Sequence, residues 1–205
     1  MKITLLTLFI GCYSLLSFGQ VKEIYLYDDL SPLTKKEFNQ MDNSFKYFEM
    51  IFNLDTLIVN LKVTRVDTGK IAKATLDSIK SEITTLSSQP IPSDHLIIIN
   101  YYHGIDGCNA SAQKQHLRIR YKKYLKELTK LEKVNQYFMY KSAEGTKEYG
   151  KKLKWIKDES GIIERTFFPI AYPCGSFVTL DAAGNFYKRK GEYDILKIID
   201  LVKNK

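Results

Sequence analysis

Cysteine is scarce in this 205-residue chain. There are three, Cys12, Cys108 and Cys174, and no two stand two or three residues apart. With only three histidines, His95, His103 and His116, the spacing of a structural zinc site is missing, and no metal or cofactor is expected. The chain also lacks a glycine-rich phosphate loop, a nucleophile elbow and a paired-carboxylate motif, which removes the usual signatures of nucleotide hydrolysis, serine hydrolysis and glycoside cleavage. The one strongly apolar stretch, near the N-terminus, is interrupted by Gly11, Cys12, Tyr13 and Ser14. It falls short of the about 18 uninterrupted residues that mark a membrane span.

That stretch has another use. Lys2 supplies a positive start, Ile3 to Ile10 and Leu15 to Phe18 an apolar core, and Ser17-Phe18-Gly19 small residues at a cleavage spacing, so residues 1–19 are expected to be an export signal. Gly11-Cys12 offers the alternative of lipoprotein processing with a lipid anchor on Cys12. The product would be exported, to a periplasm, cell envelope or medium. Removing residues 1–19 takes away Lys2 and no acidic residue, lowering the net charge from +8 to +7. The densest basic group, Arg118, Arg120, Lys122, Lys123, Lys126, Lys130 and Lys133, falls on an amphipathic helix. We take it as a solvated face and expect no nucleic-acid partner.

The order of elements follows from periodicity. Alternation over Leu57, Val59, Leu61 and Val63 predicts a strand. Asp67-Thr68-Gly69 suggests a turn, and Leu76, Ile79, Ile83 and Leu86 put an apolar stripe on a helix over 72–87. The continuous apolar run 95–102 predicts a central strand covered on both faces. A long helix is expected over 109–134, a strand at 136–140, a helix over 146–156 and an irregular stretch through 158–169. A hairpin follows, with strands at 176–181 and 186–189, and then a terminal helix burying Ile195, Leu196, Ile199 and Val202. Upstream, 20–54 is an α+β extension, with Ser31 as cap and Pro32 as first residue of a short helix.

From Leu57 to Lys203 this order resembles the thioredoxin-like superfamily. The resemblance implies an α/β fold: a central mixed sheet flanked by helices over 55–205, preceded by the N-terminal extension. Cys108 stands between a strand and its helix, at the family's redox-cysteine position, and Pro173 at its cis-proline position. The motif is incomplete. Ile105-Asp106-Gly107-Cys108 keeps the second cysteine of the dithiol motif, whereas Cys108-Asn109-Ala110-Ser111 keeps the first and puts serine in place of the second.

In such a fold the residue beside the cis-proline lies near the active-site cysteine, and exported cysteines usually pair, so Cys108 and Cys174 are expected to form a disulfide. Two roles are open for that bond: an exchange site with Cys108 as nucleophile, Cys174 as resolving partner and Pro173 shaping a groove for a protein or peptide thiol, or a structural staple in a non-catalytic binding module. A helix N-terminus at residue 109 would stabilise a thiolate on Cys108, while Asp106 opposes it. His103 is a further candidate base.

Overall fold

The computed structural model describes residues 21–107 and 114–204. They fall into two compact units: residues up to Met41 with Glu49–Lys62, and Asp42–Phe48 with residues from Val63 onward. The first contains most of a four-stranded sheet, order β2-β1-β4-β3, made of β1 (Lys22–Tyr27), β2 (Pro32–Leu33), β3 (Tyr47–Leu54) and β4 (Leu57–Thr64). β1 and β4 run parallel, Lys22 opposite Leu57 through Tyr27 opposite Lys62.

Helix α1 (Lys35–Gln40) starts later than the serine-proline pair suggested. Thr34 caps it in a reciprocal box, its hydroxyl accepting from Glu37 N at 3.2 Å while Glu37 Oε2 accepts from Thr34 N at 2.8 Å. Pro32 lies in β2, and Ser31 donates its N–H to Asp29 Oδ1. Lys62 is buried in this unit. Its ammonium donates to Glu49 Oε1 at 2.6 Å and to the Met41 carbonyl at 3.3 Å, and lies 4.0 Å from the Phe38 ring centre. The charge tolerates burial because carboxylate, carbonyl and ring face replace its water.

The second unit is built on a six-stranded sheet, order β5-β10-β9-β6-β7-β8. Its strands are β5 (Val66–Lys70), β6 (Leu96–Tyr102), β7 (Val134–Tyr140), β8 (Trp155–Lys157), β9 (Ser176–Leu180) and β10 (Asn185–Arg189). β6 pairs parallel with β7 and antiparallel with β9, and β9 pairs antiparallel with β10. The protein is a mixed α/β protein with two mixed sheets flanked by helices, consistent with a thioredoxin-like fold.

β6 occupies the centre as its apolar run requires, with Ile97 to Tyr102 all buried. On one face Ile98 and Tyr102 pack in a cluster with Tyr124 of α3 (Lys114–Leu128) and with Ile195, Ile198 and Ile199 at α5 (Lys197–Lys203). α2 (Lys73–Ser87) buries Leu76, Ile79 and Ile83, whereas Leu86 in its last turn is exposed. The basic residues of and after α3 are exposed, as expected of a solvated face. Several are neutralised locally, Arg120 by Asp194 at 2.7 Å and Lys133 by Asp94 at 2.8 Å.

Four sequence expectations are corrected here. Leu57–Thr64 is a strand, but it joins the four-stranded sheet. Asp67-Thr68-Gly69 is no turn: it lies in β5, with Gly69 opposite Phe186, and a Cβ on Gly69 would come within 2.8 Å of the Phe186 ring. The glycine makes room for that ring. The helix expected over 146–156 is a single 3-10 turn (Thr146–Tyr149) followed by β8, which pairs parallel with β7 and covers its outer edge. The stretch expected to be irregular contains α4 (Ile162–Phe167). At the β9–β10 hairpin, Asp181 Oδ1 accepts from Ala183 N and Asn185 N, bracing the predicted turn.

Candidate functional site

The candidate site lies at the C-terminal end of β6, the end of an α/β sheet where ligands and reactive groups commonly gather. After Tyr102 the chain leaves the sheet through His103-Gly104-Ile105-Asp106-Gly107, and from the other direction Tyr172-Pro173-Cys174-Gly175 enters β9. The strands β6 and β9 are paired up to Tyr101 opposite Ser176, which brings the two connections together. Asp106 Oδ2 accepts the Cys174 backbone N–H at 2.8 Å.

Cys174 and Pro173 are both partly exposed, and Cys174 is disulfide-bonded to a cysteine outside the described residues. Cys108 and Cys12 both lie outside them. Pro173 follows a trans peptide bond, since the described residues contain no cis peptide, which corrects the cis-proline expectation. The reversal is made instead by two successive left-handed residues, Cys174 at φ 64° and Gly175 at φ 83°. A Cβ on Gly175 would sit 3.3 Å from the Tyr101 carbonyl. Cys174 has a side chain, so that conformation costs about 1–2 kcal/mol, against which the charge-assisted bond that its N–H donates to Asp106 holds it.

Around this turn the side chains are tightly determined. Tyr172, Phe167 and Phe168 are buried, which makes them core and not an open groove. Tyr101 stacks on Phe168 with ring centres 5.5 Å apart, and its hydroxyl donates to Asp158 Oδ2 at 3.1 Å. The Asp158 carboxylate also accepts from Ile163 N at 3.3 Å and Glu164 N at 2.9 Å, so one buried group anchors the start of α4 and the end of β6 together. Lys190, also buried, bonds Asp67 Oδ2 at 2.8 Å, and its ammonium lies 5.8 Å from the Tyr172 ring centre. Neither Asp158 nor Lys190 was singled out in the sequence. Asp158 had a signal, an acidic residue four positions before an isoleucine pair that opens a helix. Lys190 had none, because a lysine after a strand is ordinarily solvated.

His103 sits against the same wall, 4.9 Å from the Tyr101 ring and 6.5 Å from that of Tyr172. Its Nε2 lies 2.9 Å from the Phe168 carbonyl, which can only accept, so Nε2 carries the proton and donates. Nδ1 is buried without a hydrogen-bond partner. Burial holds the His103 pKa below its ordinary value, outweighing the Phe168 carbonyl, which acts the other way. The sign follows from linkage. The unfolded chain takes up a proton as pH falls through about 6.5 while the folded one resists, so acid favours unfolding. Thermal melts of the parent should therefore lose more stability between pH 7 and pH 5 than those of His103→Phe. Equal losses would show that His103 titrates normally.

The negative field at the site is visible in Tyr102, whose hydroxyl pKa is pushed up to about 12 by burial first and then by Asp106, Glu144 and Glu148. Among the described residues no group of His, Cys, Asp and Glu is placed to hold a metal ion, and no helix is long and apolar enough to cross a membrane.

No protein-family model matches the chain, and no curated protein does. Among solved structures, a secreted Mycobacterium tuberculosis disulfide oxidoreductase homologous to E. coli DsbE aligns at 12% identity and a TM-score of 0.36, over 56% of this chain and 84% of its own. A hypothetical protein from Sinorhizobium meliloti 1021 aligns at 13% identity and a TM-score of 0.31, over 60% of this chain and 66% of its own. The strand order β10-β9-β6-β7, with the Cys174 turn leading into β9, is consistent with a thioredoxin-like fold.

Proposed function

We propose that this is an exported thiol-disulfide exchange protein in which Cys108 and Cys174 form the reactive pair. Residues 1–19 act as its export signal, and the thioredoxin-like domain is the part of 55–205 built on the six-stranded sheet. One observation supports the pairing: the disulfide-bonded Cys174 donates its backbone N–H to the carboxylate of Asp106, two residues before Cys108 in the chain. Cys108 attacks a disulfide of a protein or peptide substrate, and Cys174 resolves the mixed disulfide. Pro173, immediately before Cys174 and partly exposed, shapes the surface on which the substrate chain lies.

Mass mapping of the non-reduced protein should recover a peptide linking Cys108 to Cys174. The purified parent should reduce insulin in the presence of a small dithiol, and Cys108→Ser should reduce that activity to background. A parent protein with no exchange activity in either redox direction would rule the proposal out.

A staple in a non-catalytic binding module is the second reading, favoured by the left-handed turn that seats Cys174 at the entry of a fully buried strand. A partner so held has little freedom to move between bonded and free positions. Under that reading Cys174→Ala destabilises the fold and leaves partner capture unchanged. Lipid on Cys12 would place either version on a membrane surface.

A further inference from the structure

The exchange reading leaves one group at the site unassigned. Asp106 lies 68 residues from Cys174 in sequence and bonds its N–H through Oδ2. The Cys174 sulfur is three bonds from that nitrogen and so lies near the carboxylate, and a like charge within about 4–6 Å disfavours ionisation. We propose that Asp106 guards the Cys174 disulfide electrostatically, slowing its attack by anionic thiols while fixing the turn that presents it. This rests on the reading of that disulfide as an exchange site.

The physical case has two halves. Reduction by a small monothiol proceeds in two exchanges. A thiolate RS⁻ attacks one sulfur of the bond, the other sulfur leaves as a thiolate and takes a proton, and a second RS⁻ attacks the resulting mixed disulfide. The balance is two RSH plus one protein disulfide giving RS–SR plus two protein thiols. If the attack falls on the Cys174 sulfur, the incoming anion approaches the Asp106 carboxylate. If it falls on the partner sulfur, Cys174 must leave as a thiolate beside that carboxylate, and a thiol of raised pKa leaves slowly. Both routes meet the same charge. Burial first, and Asp106 after it, disfavours the anionic form of the Tyr102 hydroxyl, and Asp106 adds in the same direction at Tyr149, where burial again comes first. Asp106 is thus a positioning and charge-setting residue, not a catalytic one.

The test uses the oxidised full-length protein and three reductants of similar size, cationic cysteamine, neutral 2-mercaptoethanol and anionic mercaptoacetate, at constant ionic strength and equal thiolate concentration. Asp106→Asn keeps an acceptor for the Cys174 N–H and removes the charge. It should speed reduction by mercaptoacetate about tenfold and by cysteamine much less, collapsing the parent's preference for the cationic thiol. Asp106→Ala should show the same collapse together with a lower melting temperature, because the turn loses its bond. An anion-to-cation rate ratio that is the same in the parent and Asp106→Asn overturns the guard and leaves the exchange reading intact. A disulfide that resists every reductant in the parent retires the exchange reading and the guard that rests on it, even where Asp106→Asn yields. Resistance in both retires both.

Discussion

Replacing Cys174 with serine is expected to lower the unfolding free energy by about 2–5 kcal/mol, the usual consequence of losing a native disulfide that closes a long loop. For a domain of this size each kcal/mol corresponds to about 2–4 °C, so the melting temperature should fall by roughly 5–15 °C. The loss has two sources. The unfolded chain regains the freedom that the cross-link removes, and the folded chain keeps a side-chain-bearing residue at φ 64° with one fewer restraint. The same experiment identifies the partner. Under the Cys108 to Cys174 pairing, Cys108→Ser should melt with Cys174→Ser, Cys12→Ser should melt with the parent, and the fully reduced parent should fall to the level of the two lower variants. A Cys12→Ser variant that melts with Cys174→Ser would assign the bond to Cys12 and defeat the proposed exchange pair. Calorimetry under oxidising and reducing conditions reads all four.

Asp158→Ala should be the most damaging single change that leaves the cysteines intact, at about 3 kcal/mol or more. Hydrogen bonds to charged groups are each worth about 1.5–3 kcal/mol, and a buried donor left alone costs its desolvation besides. Here one carboxylate, with its residue only 7% exposed, holds the Tyr101 hydroxyl and the Ile163 and Glu164 amides. Tyr101→Phe removes one of those bonds and no acceptor, so about 1 kcal/mol is expected. In the double variant the losses should fall short of additive, since the two changes share one hydrogen bond. Because Tyr101 lies at the end of β6, beside His103 and behind Gly175, the Asp158→Ala protein should also become easier to reduce at Cys174 in proportion to its lost stability. Denaturant melts with parallel reduction kinetics measure both. Unchanged stability would mean that water replaces the carboxylate at no cost.

Much of the core was legible because its signals are local. An isoleucine run bounded by turn residues is a strand wherever it lands, and Ile97, Ile98 and Ile99 are fully buried at the centre of the sheet. The stripe of Leu76, Ile79 and Ile83 made α2, and the Asp181 to Asn185 turn made the hairpin between β9 and β10. The misses share a different cause. Periodicity over Leu57–Thr64 marks a strand but carries no information about which sheet receives it, and here β1 claims it in parallel register. Thr68 and Gly69 have turn chemistry, yet β10 offers an open edge and Phe186 needs the space that glycine leaves. Thr146 to Ile156 has the apolar spacing of a helix, but glycines at positions of positive φ on both sides of Thr146–Tyr149 confine it to one turn, and the open edge of β7 takes up β8.

At the site the division is similar. Sequence alone determined the reactive atoms available, three cysteines with no close pair, and the order of elements that places Cys108 after β6 and Cys174 before β9. Only the tertiary structure decided that Pro173 is trans, that Cys174 is left-handed and bonded, and that Asp106 rather than a neighbouring cysteine is what its backbone meets. The physical reason is distance along the chain. Propensity and periodicity act over a few residues, whereas a hydrogen bond between residues 106 and 174 exists only after β6 and β9 have found their register.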